Sequence, residues 1–283
     1  MTVMTNNGSI DGVDVAGLLG IPISAEQERA VRAPLDPCVV IAGAGTGKTT
    51  VMAARVVWLV ASGLVSPEEI LGLTFTNKAT MELSERIESN LTRVGLLKPD
   101  QPRPTVATYD SFAGTLVGDY GAWDGINTGA HLMTGARAYQ LASEVVVGLD
   151  KAPLAATHLG PTPIAQAVVK LAAAMASHDA SPDEVRKADA RWRQMLLDAP
   201  TKKGGGRYAD IDTWLSRVDE REEFLELVAA YQELKKERGL VEFGDRMVQA
   251  LHLVTHHPRV GEELRARYRV VLLDEYQDTS SAQ

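Results

Sequence analysis

The chain has 283 residues, 45% of them hydrophobic, which is enough apolar material for one large core or two ordinary ones. Twenty-nine Lys and Arg against 37 Asp and Glu give a net charge of −8, which excludes holding duplex nucleic acid by bulk electrostatics but leaves room for a local basic groove. A single cysteine, Cys38, excludes an intrachain disulfide, and the opening MTVMTNNGSIDGVD has neither a basic residue nor an apolar core of signal-peptide length.

In chain order, residues 1–20, with Asn6, Asn7, Gly8, Gly12 and Gly17, are expected to form a flexible leader. SAEQERAV (24–31) starts with a capping serine followed by acidic and amide residues, the signature of a short helix. CVVIA (38–42) is a short apolar run bounded by Pro37 and glycines, which predicts a buried parallel strand with Cys38 as a small buried thiol. TTVMAARVVWLVASG (49–63) predicts a helix closed by Gly63; its most apolar part is interrupted by Arg55 and too short to span a bilayer, so a cytoplasmic protein without a membrane partner is expected. ILGLTFT (70–76) predicts a strand, NKATMELSERIESNL (77–91) a helix, and TVATYDSF (105–112) a third strand and loop. This alternation predicts a three-layer α/β domain, a parallel sheet with helices on both faces.

From residue 114 to 240 the chain is rich in Ala, Leu, Glu and Arg and shows no convincing strand, which predicts an inserted all-helical subdomain with 217–239 as its clearest helix. TKKGGGR (201–207) interrupts it as a mobile loop whose cations leave a phosphate-gripping role open. EFGDRMVQALHLVTHH (242–257) and a short following helix lead to the buried strand RVVLLD (269–274), so the α/β domain comprises 21–113 and 241–283.

AGAGTGKT (42–49) follows the first strand. Gly43, Gly45 and Gly47 allow consecutive backbone N–H groups to converge on a phosphate, and the next helix adds the positive end of its dipole. Lys48 reaches the β and γ phosphates and the Thr49 hydroxyl is placed for Mg2+; Ala42 stands where the strict pattern has glycine. VVLLDEYQD (270–278) supplies the complement: Asp274 for the metal shell and Glu275 as the base that orients water. Adjacent acids ending a strand point to repeated ATP hydrolysis rather than phosphotransfer to a small molecule.

These motifs, in this order, resemble superfamily-1 DNA helicases of the UvrD, Rep and PcrA type, including the AddAB and AdnAB resection motors. ISAEQERAV (23–31) looks like the family's Q motif, AGAGTGKTT (42–50) its first motif, LTFTNKATMELSERI (73–87) its TFTNKA segment and DEYQDTSSAQ (274–283) its DExQD motif. The resemblance implies a P-loop, RecA-like fold, here incomplete at its carboxyl end, with ATP and Mg2+ as cofactors. It implies that Gln27 reads adenine, that Ala42, Gly43, Ala44, Gly45, Thr46, Gly47, Lys48, Thr49 and Thr50 surround the nucleotide, and that Gln277 senses the γ-phosphate or its attacking water and couples the ATP state to the DNA track. It also implies that Phe75, Thr76 and Asn77 lie on single-stranded DNA, Phe75 by stacking. Arg55 matches a recurrent family arginine, although a solvated helix position reads almost equally well. TYDSF (108–112) departs from the family, with Asp110 in place of a histidine, which leaves Thr108 and Ser111 to make any DNA contact there. None of the six histidines has metal-ligand spacing, so no structural metal is expected.

The expectation is the ATP-binding, amino-terminal portion of a 3′-to-5′ DNA helicase or translocase of repair or recombination, acting on single-stranded DNA and its junctions with duplex. Without a second motor domain it would hydrolyse ATP poorly. The alternative is a catalytically weak motor subunit of a heterodimeric helicase-nuclease, which would bring a second motor or nuclease subunit as partner.

Overall fold

A computed structural model describes residues 14–43, 45–149, 158–202 and 205–283. They form two compact units: one holds the described residues up to Phe112 together with His257–Thr279, the other Ala113–His256 with Ser280–Gln283.

The first unit is α/β. Its elements are α1 (Val15–Leu19), α2 (Ala25–Val31), α3 (Lys48–Ala61), β1 (Ile70–Thr74), α4 (Asn77–Arg93), β2 (Thr105–Thr108) and the start of α5 (Tyr109–Tyr120), then α11 (Pro258–Arg267) and β5 (Val270–Leu273). The sheet is parallel in the order β2-β1-β5. β1 is central and all five of its residues are buried, which is why it reads as a continuous apolar run. Leu73 pairs with Leu273, and Thr74 with Thr108, so the three strands end side by side at one edge.

α3 is buried from Ala53 to Leu59 because α1, α2 and α4 all pack on it. The two alanines allow close approach, and Val56, Leu59, Ile70, Leu83, Ile87 and Leu91 fill the space between helices and sheet. Gly63, in the left-handed region at φ 66°, lets the Leu64 and Gly63 amides return to the Leu59 and Val60 carbonyls, which ends α3 as the glycine predicted.

Three expectations for this unit need correction. The segment 14–20 of the expected leader is ordered: Asp14 caps α1, Val15 and Leu19 are buried, and only residues 1–13 lie outside the described residues. Val15, Leu18 and Leu19 form an apolar stripe that finds a surface on α3, and this outweighs the local glycines. The predicted strand 38–42 does not form: Val39, Val40 and Ile41 are 76%, 50% and 94% exposed, and Cys38 is exposed as well. A strand needs a neighbour for its N–H and C=O groups, yet β1 is flanked by β2 and β5, and no described residue of 38–42 joins the outer edge of β5. Finally, residues 109–112 are not a loop but the first turn of α5, which begins immediately after β2 with the Thr108 hydroxyl accepting from the Ser111 amide at 3.0 Å.

The second unit contains the rest of α5, then α6 (Gly135–Val147), α7 (Pro161–His178), α8 (Pro182–Leu197), α9 (Ala209–Glu237) and α10 (Phe243–His256). It is not wholly helical, since β3 (His131–Leu132) and β4 (Leu240–Val241) form a two-residue parallel ladder. α6, α7 and α9 enclose a core around Leu141, Ile164, Val168, Phe224 and Tyr231, and α10 packs on α7. The buried Lys235 ammonium sits between Glu242 (2.9 Å) and Asp245 (2.6 Å), with the Tyr231 hydroxyl donating to Glu242 at 3.0 Å, which fixes α9 against the start of α10. Of the 201–207 loop, Lys203 and Gly204 lie outside the described residues; the Lys202 amide donates to the Gly206 carbonyl at 3.0 Å. No described helix is long and apolar enough to cross a membrane.

Arg55 is neither solvated nor free. It is 8% exposed; Nη1 donates to the carbonyls of Val31 (3.0 Å) and Ala33 (2.7 Å), and Nη2 to that of Pro34 (2.8 Å). One guanidinium thus satisfies the chain leaving α2, ahead of the glycine loop. Arg55→Ala is expected to cost about 3 kcal/mol of unfolding free energy, because it strands buried carbonyls, with Arg55→Lys recovering only part; denaturant titration measures both.

Candidate nucleotide site and its neighbouring surface

The glycine loop is held by polar contacts. Gly45 and Gly47 have φ of 76° and 84°, and a Cβ at Gly45 would meet no atom within 4 Å, so the loop borders open space. The Thr46 hydroxyl donates to the Gly43 carbonyl at 2.8 Å. Ala42 is half-buried just before the loop, and Ala44 lies outside the described residues. α3 begins at Lys48 with no side-chain cap from Gly47, leaving the amides of its first turn to bond a ligand. Thr49 and Thr50 follow in that turn, and Arg86 of α4 donates to the Thr50 hydroxyl at 2.7 Å.

Gln27 supports the loop from the other side. Its side-chain oxygen accepts from the Ser24 amide at 2.9 Å, completing the capping box of α2, and its Nε2 donates to the Thr46 carbonyl at 3.0 Å. Both ends of the amide are thereby engaged with the protein, so Gln27 joins α2 to the glycine loop.

The carboxylates arrive from β5. The Asp274 amide makes a last rung to the Leu73 carbonyl at 2.9 Å, after which Glu275 takes the left-handed conformation at φ 48°. That conformation is disfavoured for a non-glycine residue by about 1–2 kcal/mol, and it accompanies the return of the Glu275 side chain to Lys48, Oε1 to Nζ 3.7 Å. Gln277 Nε2 donates to Glu275 Oε2 at 2.5 Å, and the Glu275 amide donates to Asp274 Oδ1 at 3.1 Å. Lys48 thus forms one cluster with Asp274, Glu275 and Gln277, more than 220 positions further along the chain.

Two carboxylates face one ammonium here, which leaves an uncompensated negative charge. Burial first, and then the charge of Glu275, hold the Asp274 carboxyl above its ordinary range, against the opposing pull of the Glu275 amide and Lys48. A hard divalent cation with oxygen ligands relieves this imbalance, and Mg2+ is commonly held by one or two carboxylates together with phosphate oxygens. The donor set therefore fits a magnesium nucleotide, with Thr49 and Asp274 as the groups that would hold the metal and Gly45, Gly47 and Lys48 those that would hold phosphate.

The remaining expected residues lie where β1 and β2 end. Phe75 is 37% exposed; the Thr76 hydroxyl caps α4 by accepting from the Ala79 amide at 3.1 Å, and Asn77 opens that helix. Thr108 is buried and its hydroxyl donates to Ser111 Oγ at 2.8 Å, so Thr76 and Thr108 are both committed to caps, whereas Ser111 is exposed. Asp110 stands in the first turn of α5, where the helix dipole favours a carboxylate; this gives it a local structural reason to be there. Between the two groups of residues lies Tyr109, which no sequence motif singles out: its ring centroid is 5.0 Å from that of Phe75, and its hydroxyl is buried without a hydrogen bond among the described residues. Burial, then the negative charge of Asp274, push its phenol above the ordinary range. The sequence signal available was its place directly after the strand-ending Thr108.

Because the folded chain binds the Asp274 proton more tightly than the unfolded chain, the stability this group contributes is present at low pH and lost as pH rises through its raised range. Asp274→Asn keeps the Oδ1 acceptor and removes the charge. The expected outcome is a ligand-free melting temperature a few degrees above the parent at pH 7, with the difference closing towards about pH 4; a variant less stable at pH 7 contradicts it.

A family profile described as the UvrD/REP helicase N-terminal domain matches residues 23–283. The chain is 26% identical over 264 residues to the DNA helicase II of Rickettsia typhi, covering 92% of this chain and 34% of that protein. It is 28% identical over 272 residues to the DNA helicase II of Haemophilus influenzae, covering 96% and 32%, and 26% identical over 284 residues to the ATP-dependent DNA helicase UvrD1 of Mycobacterium tuberculosis, covering 100% and 32%. The chain therefore spans about a third of the length of the curated relatives it matches. With its glycine loop and strand-end carboxylates in one cluster and the match running through nearly all of its residues, the chain belongs to the UvrD/REP helicase N-terminal domain family.

Proposed function

We propose that this chain is the nucleotide-binding amino-terminal portion of an ATP-dependent DNA helicase or translocase. The observation that carries the reading is the 3.7 Å approach of Lys48 to Glu275, which joins a phosphate-binding loop to a pair of strand-end carboxylates. In this reading the loop amides, the α3 amino terminus and Lys48 bind and orient the triphosphate, and Gln27 sits at the adenine end. Thr49 and Asp274 would hold Mg2+, which would supply Lewis-acid stabilisation of the phosphate charge when bound. Glu275 orients the attacking water and accepts its proton, while the 2.5 Å bond from Gln277 sets the carboxylate's direction.

Phe75, Thr76, Asn77 and Ser111 form the surface for single-stranded DNA. The exposed Phe75 ring stacks on a base, and the amino terminus of α4 faces backbone phosphate. The 3′-to-5′ direction, the role in repair or recombination and the preference for single-strand/duplex junctions rest on the likeness to the DNA helicases above. The relatives are about three times as long, and the family likeness implies a second motor domain whose arginines stabilise the transition state. The 283-residue chain alone is accordingly expected to bind nucleotide and to turn it over slowly.

Glu275→Gln tests the assignment. In single-turnover assays with magnesium ATP, the variant is expected to keep nucleotide affinity within about threefold and to lose about 100-fold in hydrolysis, whereas Lys48→Ala loses affinity by tenfold or more. Equal hydrolysis rates in parent and Glu275→Gln would remove Glu275 from the mechanism.

A further inference from the structure

Tyr109 opens α5 at the sheet edge where β1 and β5 also end. It is 5% exposed, its ring stands 5.0 Å from Phe75 at 52°, and its hydroxyl oxygen is buried without a hydrogen bond among the described residues. A phenylalanine would make the same ring contact without burying an unpaired O–H group, so packing alone does not account for a tyrosine here. Thr108 and Leu273, paired with Thr74 and Leu73 on either side of the same end of β1, are followed directly by Tyr109 and Asp274, so the ring that borders Phe75 leaves the sheet at the end where the Asp274 carboxylate also leaves it. The Asp274 carboxylate accepts from the Glu275 amide through Oδ1 and keeps further acceptor sites for a metal and for a phenol donor.

We propose that Tyr109 is a positioning residue that links the two surfaces: with magnesium nucleotide bound, its hydroxyl donates to the Asp274 carboxylate, and its ring transmits the occupied state to Phe75. This rests on the reading of the Lys48 and Glu275 cluster as the nucleotide site. A hydrogen bond from outside the metal's own ligands orients a ligating carboxylate and strengthens metal binding. Because the same side chain touches Phe75, nucleotide occupancy and single-strand affinity become coupled, and the coupling is reciprocal.

Tyr109→Phe isolates the hydroxyl, since it keeps the ring contact and the buried volume; the ligand-free melting temperature is expected to stay level or rise. Titration of the full 283-residue chain with N-methylanthraniloyl-ADP and Mg2+ should show about tenfold weaker binding for the variant, with no difference when Mg2+ is withheld. Affinity for a fluorescent oligothymidylate should change on adding magnesium nucleotide in the parent and stay constant in the variant. The proposal is overturned if Tyr109→Phe binds magnesium nucleotide as tightly as the parent, and the link to Phe75 is overturned if nucleotide shifts oligothymidylate affinity equally in both. If the parent itself binds no better than Lys48→Ala, the nucleotide reading has failed, and the proposal with it.

Discussion

The common ending of three parallel strands at one edge is the constraint from which the candidate site follows. Because Leu73 pairs with Leu273 and Thr74 with Thr108, whatever follows each strand is delivered to the same place. Asp274 and Glu275 come from one strand, Phe75 and Thr76 from the next, Tyr109 from the third. Parallel pairing makes this possible because each crossover returns the chain to the opposite edge before the next strand starts. Lys48 then meets Glu275 over 3.7 Å across a separation of 227 positions.

The groups that hold the scaffold are distinct from those that face the open site. α3 is buried on nearly all sides, and Arg55 satisfies the carbonyls of the chain leaving α2, so the helix that carries Lys48 at its start has little freedom to move. The strain in the first unit sits at Glu275, the one described non-glycine residue there with positive φ, and its carboxylate is held between Lys48 and Gln277. A disfavoured backbone at a charged cluster is the pattern expected where orientation of a reacting group matters more than local stability. Asp274 shows the same priority, since burying a carboxylate beside another costs stability unless a cation arrives.

The helical unit is built by different means. Its core lies between α6, α7 and α9, and the deeply buried Lys235 is neutralised by two carboxylates from the start of α10 and the turn before it. Across α8 and α9, ion pairs such as Arg186 with Glu222 and Arg221 with Asp189 run along the helices. Pairs as exposed as Arg186 and Glu222 contribute little to stability individually, so the apolar face of α9 carries most of the packing.

The sequence by itself determined the glycine loop, the acidic strand end and the alternation of strand and helix through residues 70–108. Phosphate chemistry requires particular residue types at consecutive positions, and period and capping are local properties. Tertiary structure alone decided where a partner existed. The apolar run at Cys38–Ala42 reads as a strand but has no ladder to join, Val15–Leu19 reads as leader but packs on α3, and Arg55, readable as a family arginine or as a solvated helix residue, lies among carbonyls. Burial, pairing and the fate of the Tyr109 hydroxyl depend on residues distant in the chain, so no window of sequence holds that information.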